Sequence, residues 1–235
     1  MCEKCGGRGL IITGPDSAIP CNCMKILAQK NRLKTAGIPG KKVLLKDFSC
    51  AYYSDKLRVG QTGKTYYESA EDAIVAAQQF IKKPEDGIAL VGPPGRGKTY
   101  LSRCTAYEMV ERGMDVIFVV VPDLLAEIKS TYNSESKDTE LSIIEAARTV
   151  KVLFLDDLGA HNYSDWVLNQ LYSILNYRSN NKMPTFITSN LDIEQMSVKL
   201  GDRITSRILD LCAIHFMSSE NDVRALKRQQ KARAV

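Results

Sequence analysis

The chain has 235 residues, enough for one complete domain and a small appendage. Its composition, 44% hydrophobic and 25% charged, excludes a collagen-like or largely disordered chain. The net charge of +5 permits contact with nucleic acid without requiring it. Because no apolar run is long enough to span a membrane and no signal-peptide pattern begins the chain, we expect a cytoplasmic protein with no membrane partner.

Four of the seven cysteines lie near the start of the chain, as two close pairs. Cys2 and Cys5 form a Cys-x-x-Cys pair, and Cys21 and Cys23 form the second pair. Two such pairs are typical of a closed tetrahedral zinc site, whereas a thioredoxin-like redox pair would follow a strand. We therefore predict a small zinc knuckle, with an iron–sulfur cluster or incidental cysteines as the alternatives.

The rest of the chain divides into a connector and a region of alternating strands and helices. The connector, residues 24–86, holds two helix candidates, 24–37 and 69–83. Five short apolar, β-branched runs follow at residues 87–92, 115–121, 151–157, 184–190 and 213–219. Helix candidates lie between them at 99–112, 122–133, 139–150, 164–178 and around 193–211. This alternation predicts an α/β domain with a five-stranded parallel sheet covered on both faces.

A phosphate-binding loop is the strongest motif. The sequence GPPGRGKT follows an apolar strand, precedes a helix and fits G-x-x-x-x-G-K-[ST]. In such a loop the backbone N–H groups surround the phosphates at a helix N-terminus, while the lysine reaches the β- and γ-phosphates and the hydroxyl ligates Mg²⁺. The predicted binding residues are Gly92, Pro93, Pro94, Gly95, Arg96, Gly97, Lys98, Thr99 and Tyr100. A second GKT, at 63–65, lacks the first glycine of the motif and is interpreted as a surface turn.

Polar residues end two later strands. VLFLDDLG supplies Asp156, predicted to hold Mg²⁺ through water, and Asp157, predicted to orient or deprotonate the attacking water. PTFITSN ends in Asn190, which would meet the same edge of a parallel sheet and could contact the γ-phosphate, although an asparagine there also forms turns. Arg203, Arg207 and Arg224 follow, and surface solvation is the ordinary explanation for each.

In this order, GPPGRGKT, LFLDDLG, ITSN, DRITSR and DVRALK resemble sequence blocks of the AAA+ ATPases, specifically the DnaC/DnaI/IstB-like group of helicase loaders and transposition helpers. The resemblance implies an AAA+ P-loop three-layer sandwich over residues 41–235, behind a zinc-binding module and basic linker helix over residues 1–40. It implies that residues 92–99 are the Walker A loop, that the two aspartates are the Walker B motif, and that Asn190 is sensor 1.

The resemblance also assigns the arginines. Arg207 would be the arginine finger that acts on a neighbour's ATP in a homo-oligomer, with Arg203 the second candidate, and Arg224 would be sensor 2. Asp157 stands where most AAA+ proteins have glutamate, and its shorter side chain suggests slow hydrolysis. In such proteins single-stranded DNA is gripped by helices inserted before Walker B; Lys129 and Tyr132 could provide a phosphate contact and a stacking surface here, although Tyr132 fits core packing equally well.

The expected function is that of an ATP-dependent helicase loader that binds a DnaB-like replicative helicase and single-stranded DNA. It would use ATP, Mg²⁺ and Zn²⁺, with slow hydrolysis modulated by DNA or the partner. An IstB-like transposition helper is the nearest alternative. Two others belong to different classes: a zinc-bearing adaptor that binds ATP without needing hydrolysis, and a P-loop kinase acting on a small molecule.

Overall fold

The computed structural model describes residues 2–3, 5, 10–14, 17–60, 62–123, 137–160 and 163–233. Its helices are α1 Asn22–Ala36, α2 Tyr66–Lys82, α3 Lys98–Glu111, α4 Lys137–Thr149, α5 Asp165–Asn180, α6 Ile193–Leu200, α7 Asp202–Leu211 and α8 Val223–Arg233. Its strands are β1 Leu10–Gly14, β2 Ser17–Pro20, β3 Gly87–Val91, β4 Val116–Val120, β5 Val152–Leu158, β6 Thr185–Ser189 and β7 Cys212–Phe216. The predicted insertion helix at 122–133, with Lys129 and Tyr132, lies almost entirely outside the described residues.

The five predicted strands form one sheet in the order β4-β5-β6-β3-β7, with every neighbouring pair parallel. The central strands β3 and β6 are buried at every residue, and β3 is accordingly apolar without alternation, whereas β6 also buries Thr185, Thr188 and Ser189. The prediction of a parallel five-stranded sheet is therefore confirmed. Parallel strands all end at one edge, so the residues that follow β3, β5 and β6 are brought together there.

Two hydrophobic cores lie on opposite faces of the sheet. Ile88 and Leu90 of β3 face a core shared with α2 and α3, whereas Ala89 and Val91 face a core shared with α4 to α7. On the first face the rings of Phe154 and Phe186 stack with centroids 5.1 Å apart. The result is a three-layer sandwich, as predicted. Among the described residues, no helix has the length and apolar composition needed to cross a lipid bilayer.

Most helix boundaries lie within two residues of the predictions, and two differences are larger. Helix α2 begins before residue 69 because Thr65 and Glu68 form a capping box, in which each side chain accepts the other's backbone N–H. The single helical segment predicted around 193–211 is wrong: α6 and α7 are separate helices, divided at Gly201. Gly201 has φ 87° and ψ 154°. This combination of a positive φ with an extended ψ is adopted readily only by glycine and interrupts the helix.

The hairpin formed by β1 and β2 was not predicted from the sequence. Leu10 pairs with Pro20 and Ile11 with Ile19 in antiparallel register, between the two cysteine pairs. The second GKT segment lies in a turn just before α2, where the Arg58 guanidinium donates to the Gly63 carbonyl at 2.6 Å.

Candidate functional site

A pocket of about 590 Å³ opens at the carboxyl edge of the sheet. Residues 94–100, from the loop after β3 and the first turn of α3, form one side of it. Asp156 and Asp157 at the end of β5, Asn190 after β6 and Arg224 in α8 also line it. Residues from four separate parts of the sequence thus share one pocket.

Lys98 is the first residue of α3 and is almost fully buried. Its ammonium group donates to the carbonyls of Gly92 at 2.6 Å and Pro93 at 2.7 Å. Burial lowers the pKa of Lys98 to about 8, and the charges of Asp157 and Asp156 oppose that shift. At neutral pH the side chain is therefore mainly protonated, the form that binds phosphate.

Asp156 is a buried carboxylate surrounded by hydroxyl groups. Its Oδ1 accepts a hydrogen bond from Thr188 Oγ1 at 2.6 Å, and Thr99 also hydrogen-bonds to it. Burial raises the pKa of Asp156, while the bonds from Thr188 and Thr99 lower it. Because Mg²⁺ prefers carboxylate, hydroxyl and water oxygens, Thr99 and Asp156 fit a magnesium ion beside the phosphate loop.

Asp157 leaves the regular strand. Its φ of 61° lies in the left-handed region, which aspartate tolerates better than most residues. Its backbone N–H donates to Thr188 Oγ1 at 3.0 Å, and its Oδ1 accepts from Asn190 Nδ2 at 2.7 Å. The structure thus joins the second aspartate directly to the asparagine that follows β6.

The start of α8 is attached to the phosphate loop. The backbone N–H of Val223 donates to the Gly95 carbonyl at 2.9 Å. Gly95 has φ 77°, and a Cβ at this position would overlap the Asp222 carboxylate, so glycine is required for this close approach. Asp222 in turn forms an ion pair with Arg224, Nε to Oδ1 3.5 Å. The contact places the exposed Arg224 side chain at the rim of the pocket.

An aromatic wall completes the other side of the pocket, and the sequence reasoning missed it. Phe48 stacks on Tyr53 with centroids 6.0 Å apart and lies 6.1 Å from the ring of Tyr100. The ammonium of Lys227 lies 4.6 Å from the Tyr100 ring centroid. The aromatic residues stand in the sequence FSCAYY, residues 48–53. This stretch lies in the predicted connector and has no helix or strand periodicity that would indicate a binding role. Flat rings beside a phosphate loop can receive a heterocyclic base.

The other arginines lie elsewhere. Arg203 in α7 packs its guanidinium 4.3 Å from the ring centroid of Tyr172 in α5, and Arg207 hydrogen-bonds to the same tyrosine. Neither arginine, although both are described, lines the pocket of about 590 Å³. The structure of one chain therefore does not bring Arg207 to its own phosphate loop, and its action on a neighbour stays a prediction.

The four N-terminal cysteines converge. Their sulfur atoms all lie within 4.8 Å of one another, with Cys2 to Cys21 at 3.8 Å and Cys5 to Cys23 at 3.4 Å. Zn–S bonds of about 2.3 Å at tetrahedral angles place sulfurs about 3.8 Å apart. The donor set and spacing therefore fit a zinc ion.

Comparisons with known proteins find a family model and curated relatives that match this chain. The family model described as IstB-like ATP binding protein matches residues 66–234. The chain is 28% identical over 144 residues to the replicative helicase loader DnaC of Escherichia coli (strain K12), covering 60% of this chain and 58% of DnaC. It thus spans about three fifths of the length of the curated DnaC proteins it matches.

Solved structures show the same relationship. A crystal structure of the DnaC helicase loader aligns with a TM-score of 0.58 at 29% identity, covering 64% of this chain and 90% of that one. A crystal structure of DnaI aligns with a TM-score of 0.57 at 29% identity, covering 72% and 92%. The fold prediction, an AAA+ P-loop sandwich, is confirmed.

Proposed function

This chain belongs to the IstB-like ATP binding protein family, and from that premise we propose that it is an ATP-dependent helicase loader. The observation that carries the proposal is the convergence of Lys98, Asp156, Asp157 and Asn190 on one pocket with an aromatic wall. The similarity to DnaC and DnaI supports the choice of loader among ATP-binding proteins.

Several residues of the pocket have a proposed role in ATP hydrolysis. The loop N–H groups and Lys98 hold the phosphates, and the rings of Phe48 and Tyr100 receive the base. Thr99 and Asp156 hold Mg²⁺, which neutralises phosphate charge when bound. Asp157 accepts a proton from the attacking water, while Asn190 orients its carboxylate at 2.7 Å. The short side chain of Asp157 makes the reaction slow.

The N-terminal part is proposed to be a partner-binding module. Residues 1–40 would form a zinc-bearing unit with a linker helix, and residues 41–235 the ATPase domain. Helix α1 is joined to the domain by buried Ala36 and by an Arg32–Asp115 ion pair of 3.4 Å. Met24 and Leu27 of the same helix are about half exposed. These features suit a rigid handle for a protein partner.

The proposed partners are a DnaB-like replicative helicase, single-stranded DNA and further copies of this chain, which would supply Arg207 in trans. A cytoplasmic location follows from this role. The test is to mix the purified protein with the native replicative helicase, with and without ATP, and measure helicase bound to and unwinding DNA. Helicase loading that is unchanged by the protein would rule out the loader role.

The alternatives remain testable. The IstB-like family match keeps a transposition helper open, which would stimulate a transposase instead of helicase loading. If the protein is an ATP-binding zinc adaptor, the Asp157→Asn variant should still load the helicase, because hydrolysis is not needed. A small-molecule kinase would transfer phosphate to an acceptor other than water, and the similarity to DnaC and DnaI argues against it.

A further inference from the structure

We propose that Thr188 is a positioning residue for both Walker B aspartates, an inference that rests on the proposed ATP hydrolysis at this site. Thr188 belongs to β6 and is 1% exposed. Its Oγ1 lies 2.6 Å from Asp156 Oδ1 and 3.0 Å from the backbone nitrogen of Asp157. One hydroxyl therefore contacts the side chain of one aspartate and the backbone of the next.

The direction of the two hydrogen bonds is fixed by chemistry. The backbone amide of Asp157 can only donate, so the Thr188 hydroxyl accepts there. Its own proton is then directed to the Asp156 carboxylate, which accepts it. Among the natural side chains only serine could make the same pair of bonds from this position with so small a volume. Valine has the shape of threonine but neither function.

The Thr188 hydroxyl lies where the pairing between β5 and β6 is irregular. The pairing of β5 with β6 is regular up to Leu155 and Ile187, and then shifts register before Leu158 and Ser189. Asp156 and Asp157 occupy this irregular segment, and Thr188 lies opposite it. A bulge of this kind re-aims side chains and disrupts the regular pairing, and the Asp157 amide within it donates to the Thr188 hydroxyl.

Thr188 and Asn190 hold Asp157 at different points. Thr188 fixes the backbone N–H, whereas Asn190 contacts the carboxylate at 2.7 Å. Loss of the Thr188 hydroxyl should therefore disturb the magnesium-dependent step while leaving the Lys98 side of the pocket intact. Thr188 acts through the aspartates and is not proposed to touch the nucleotide.

The test compares Thr188→Val and Thr188→Ser with a matched control, Thr185→Val. Thr185 is fully buried in the same strand, and its hydroxyl contacts Arg178 and the Met183 carbonyl, at the opposite end from the pocket. For each full-length variant we would measure thermal unfolding, ATP affinity without Mg²⁺, and ATP turnover across a Mg²⁺ titration.

We expect Thr188→Val to bind ATP like the wild type without Mg²⁺, but to lose about tenfold to a hundredfold in kcat, as displaced catalytic groups do, and to need more Mg²⁺ for half-maximal turnover. Thr188→Ser should rescue turnover, and Thr185→Val should keep it. Thr188→Ala serves the same comparison if valine prevents folding.

Wild-type turnover and Mg²⁺ dependence in Thr188→Val would overturn the inference while leaving ATP hydrolysis in place. An equal loss in Thr188→Ser would also overturn it, since the methyl group and not the hydroxyl would then be responsible. A wild-type protein without any magnesium-dependent turnover would instead overturn the proposed hydrolysis, and the inference with it.

Discussion

At the scale of single residues, Asp157 combines an unusual backbone with a proposed chemical role. Its left-handed φ of 61° would cost most residues about 1–2 kcal/mol, and aspartate and asparagine least. The sequence motif predicts where this aspartate stands, but not its conformation. The bond from Asn190 and the bond to Thr188 both come from another strand and keep it in place.

We expect Asp157→Asn to bind ATP normally and to lose about a hundredfold or more in turnover, because asparagine tolerates the same backbone but cannot accept the proton. Single-turnover assays and nucleotide titrations would measure the two effects separately. Lys98→Ala is the contrasting variant, since it should lose ATP affinity. Turnover close to wild type in Asp157→Asn would exclude Asp157 as the base.

At the scale of elements, one buried arginine hydrogen-bonds α5 to the end of α4 and to the start of β6. Arg178 of α5 has no exposed surface and donates to the carbonyls of Ala147, Arg148 and Val150 at the end of α4. It also donates to the Pro184 carbonyl and to Thr185 Oγ1 at the start of β6. Burial lowers the pKa of Arg178 to about 10, so it stays charged at neutral pH.

Arg178→Leu should lower the free energy of unfolding by about 3 kcal/mol, because several buried carbonyl groups lose their donor. Urea unfolding followed by circular dichroism would measure this change. Arg148→Leu is a suitable comparison, since this neighbouring cation is only partly buried and forms an exposed pair with Glu145. An equally small decrease in the free energy of unfolding in both variants would mean that the Arg178 hydrogen bonds do not stabilise the packing of α4.

At the scale of the whole molecule, the positions of Arg207 and Arg224 lead us to expect a homo-oligomer. Arg224 lies at the pocket of its own chain, whereas Arg207 packs against Tyr172 away from that pocket. The two proposed roles therefore differ in geometry: one acts within the chain and the other requires a neighbour.

Mixing inactive variants would distinguish these roles. Arg207→Ala retains an intact pocket and Lys98→Ala retains an intact Arg207, so their mixture should recover ATP turnover that neither shows alone. Arg224→Ala mixed with Lys98→Ala should stay inactive, because every pocket then carries a defect. The absence of recovery in the first mixture would argue against a finger supplied in trans.

Zinc removal should affect the N-terminal module alone. Apart from Cys5, Cys21 and Ala36, the described core residues belong to the α/β domain, so Cys5→Ser should lose bound zinc while keeping ATP affinity. Elemental analysis of the purified protein would test for one zinc ion per chain, with Cys50→Ser as a control outside the cluster. Bound zinc in Cys5→Ser would contradict the four-cysteine site. Unchanged partner binding in the same variant would contradict the proposal that the N-terminal module binds the partner.

The five strands and the phosphate loop could be predicted from the amino-acid sequence. Both are local: a buried strand is a short apolar run, and the loop needs only consecutive residues between a strand and a helix. The convergence of Asp156 and Asn190 was also predictable, because parallel strands share one carboxyl edge.

The aromatic wall, the contacts of Thr188 and the contacts of Arg178 could not be predicted from the sequence, because they form only when the chain packs. Each joins residues from distant parts of the chain, such as Phe48 with Tyr100 or Thr188 with Asp156. None has a local pattern, since a threonine in a strand or an arginine ending a helix has the same sequence signature wherever its side chain points. Packing selects the partner, and the partner gives these residues their role.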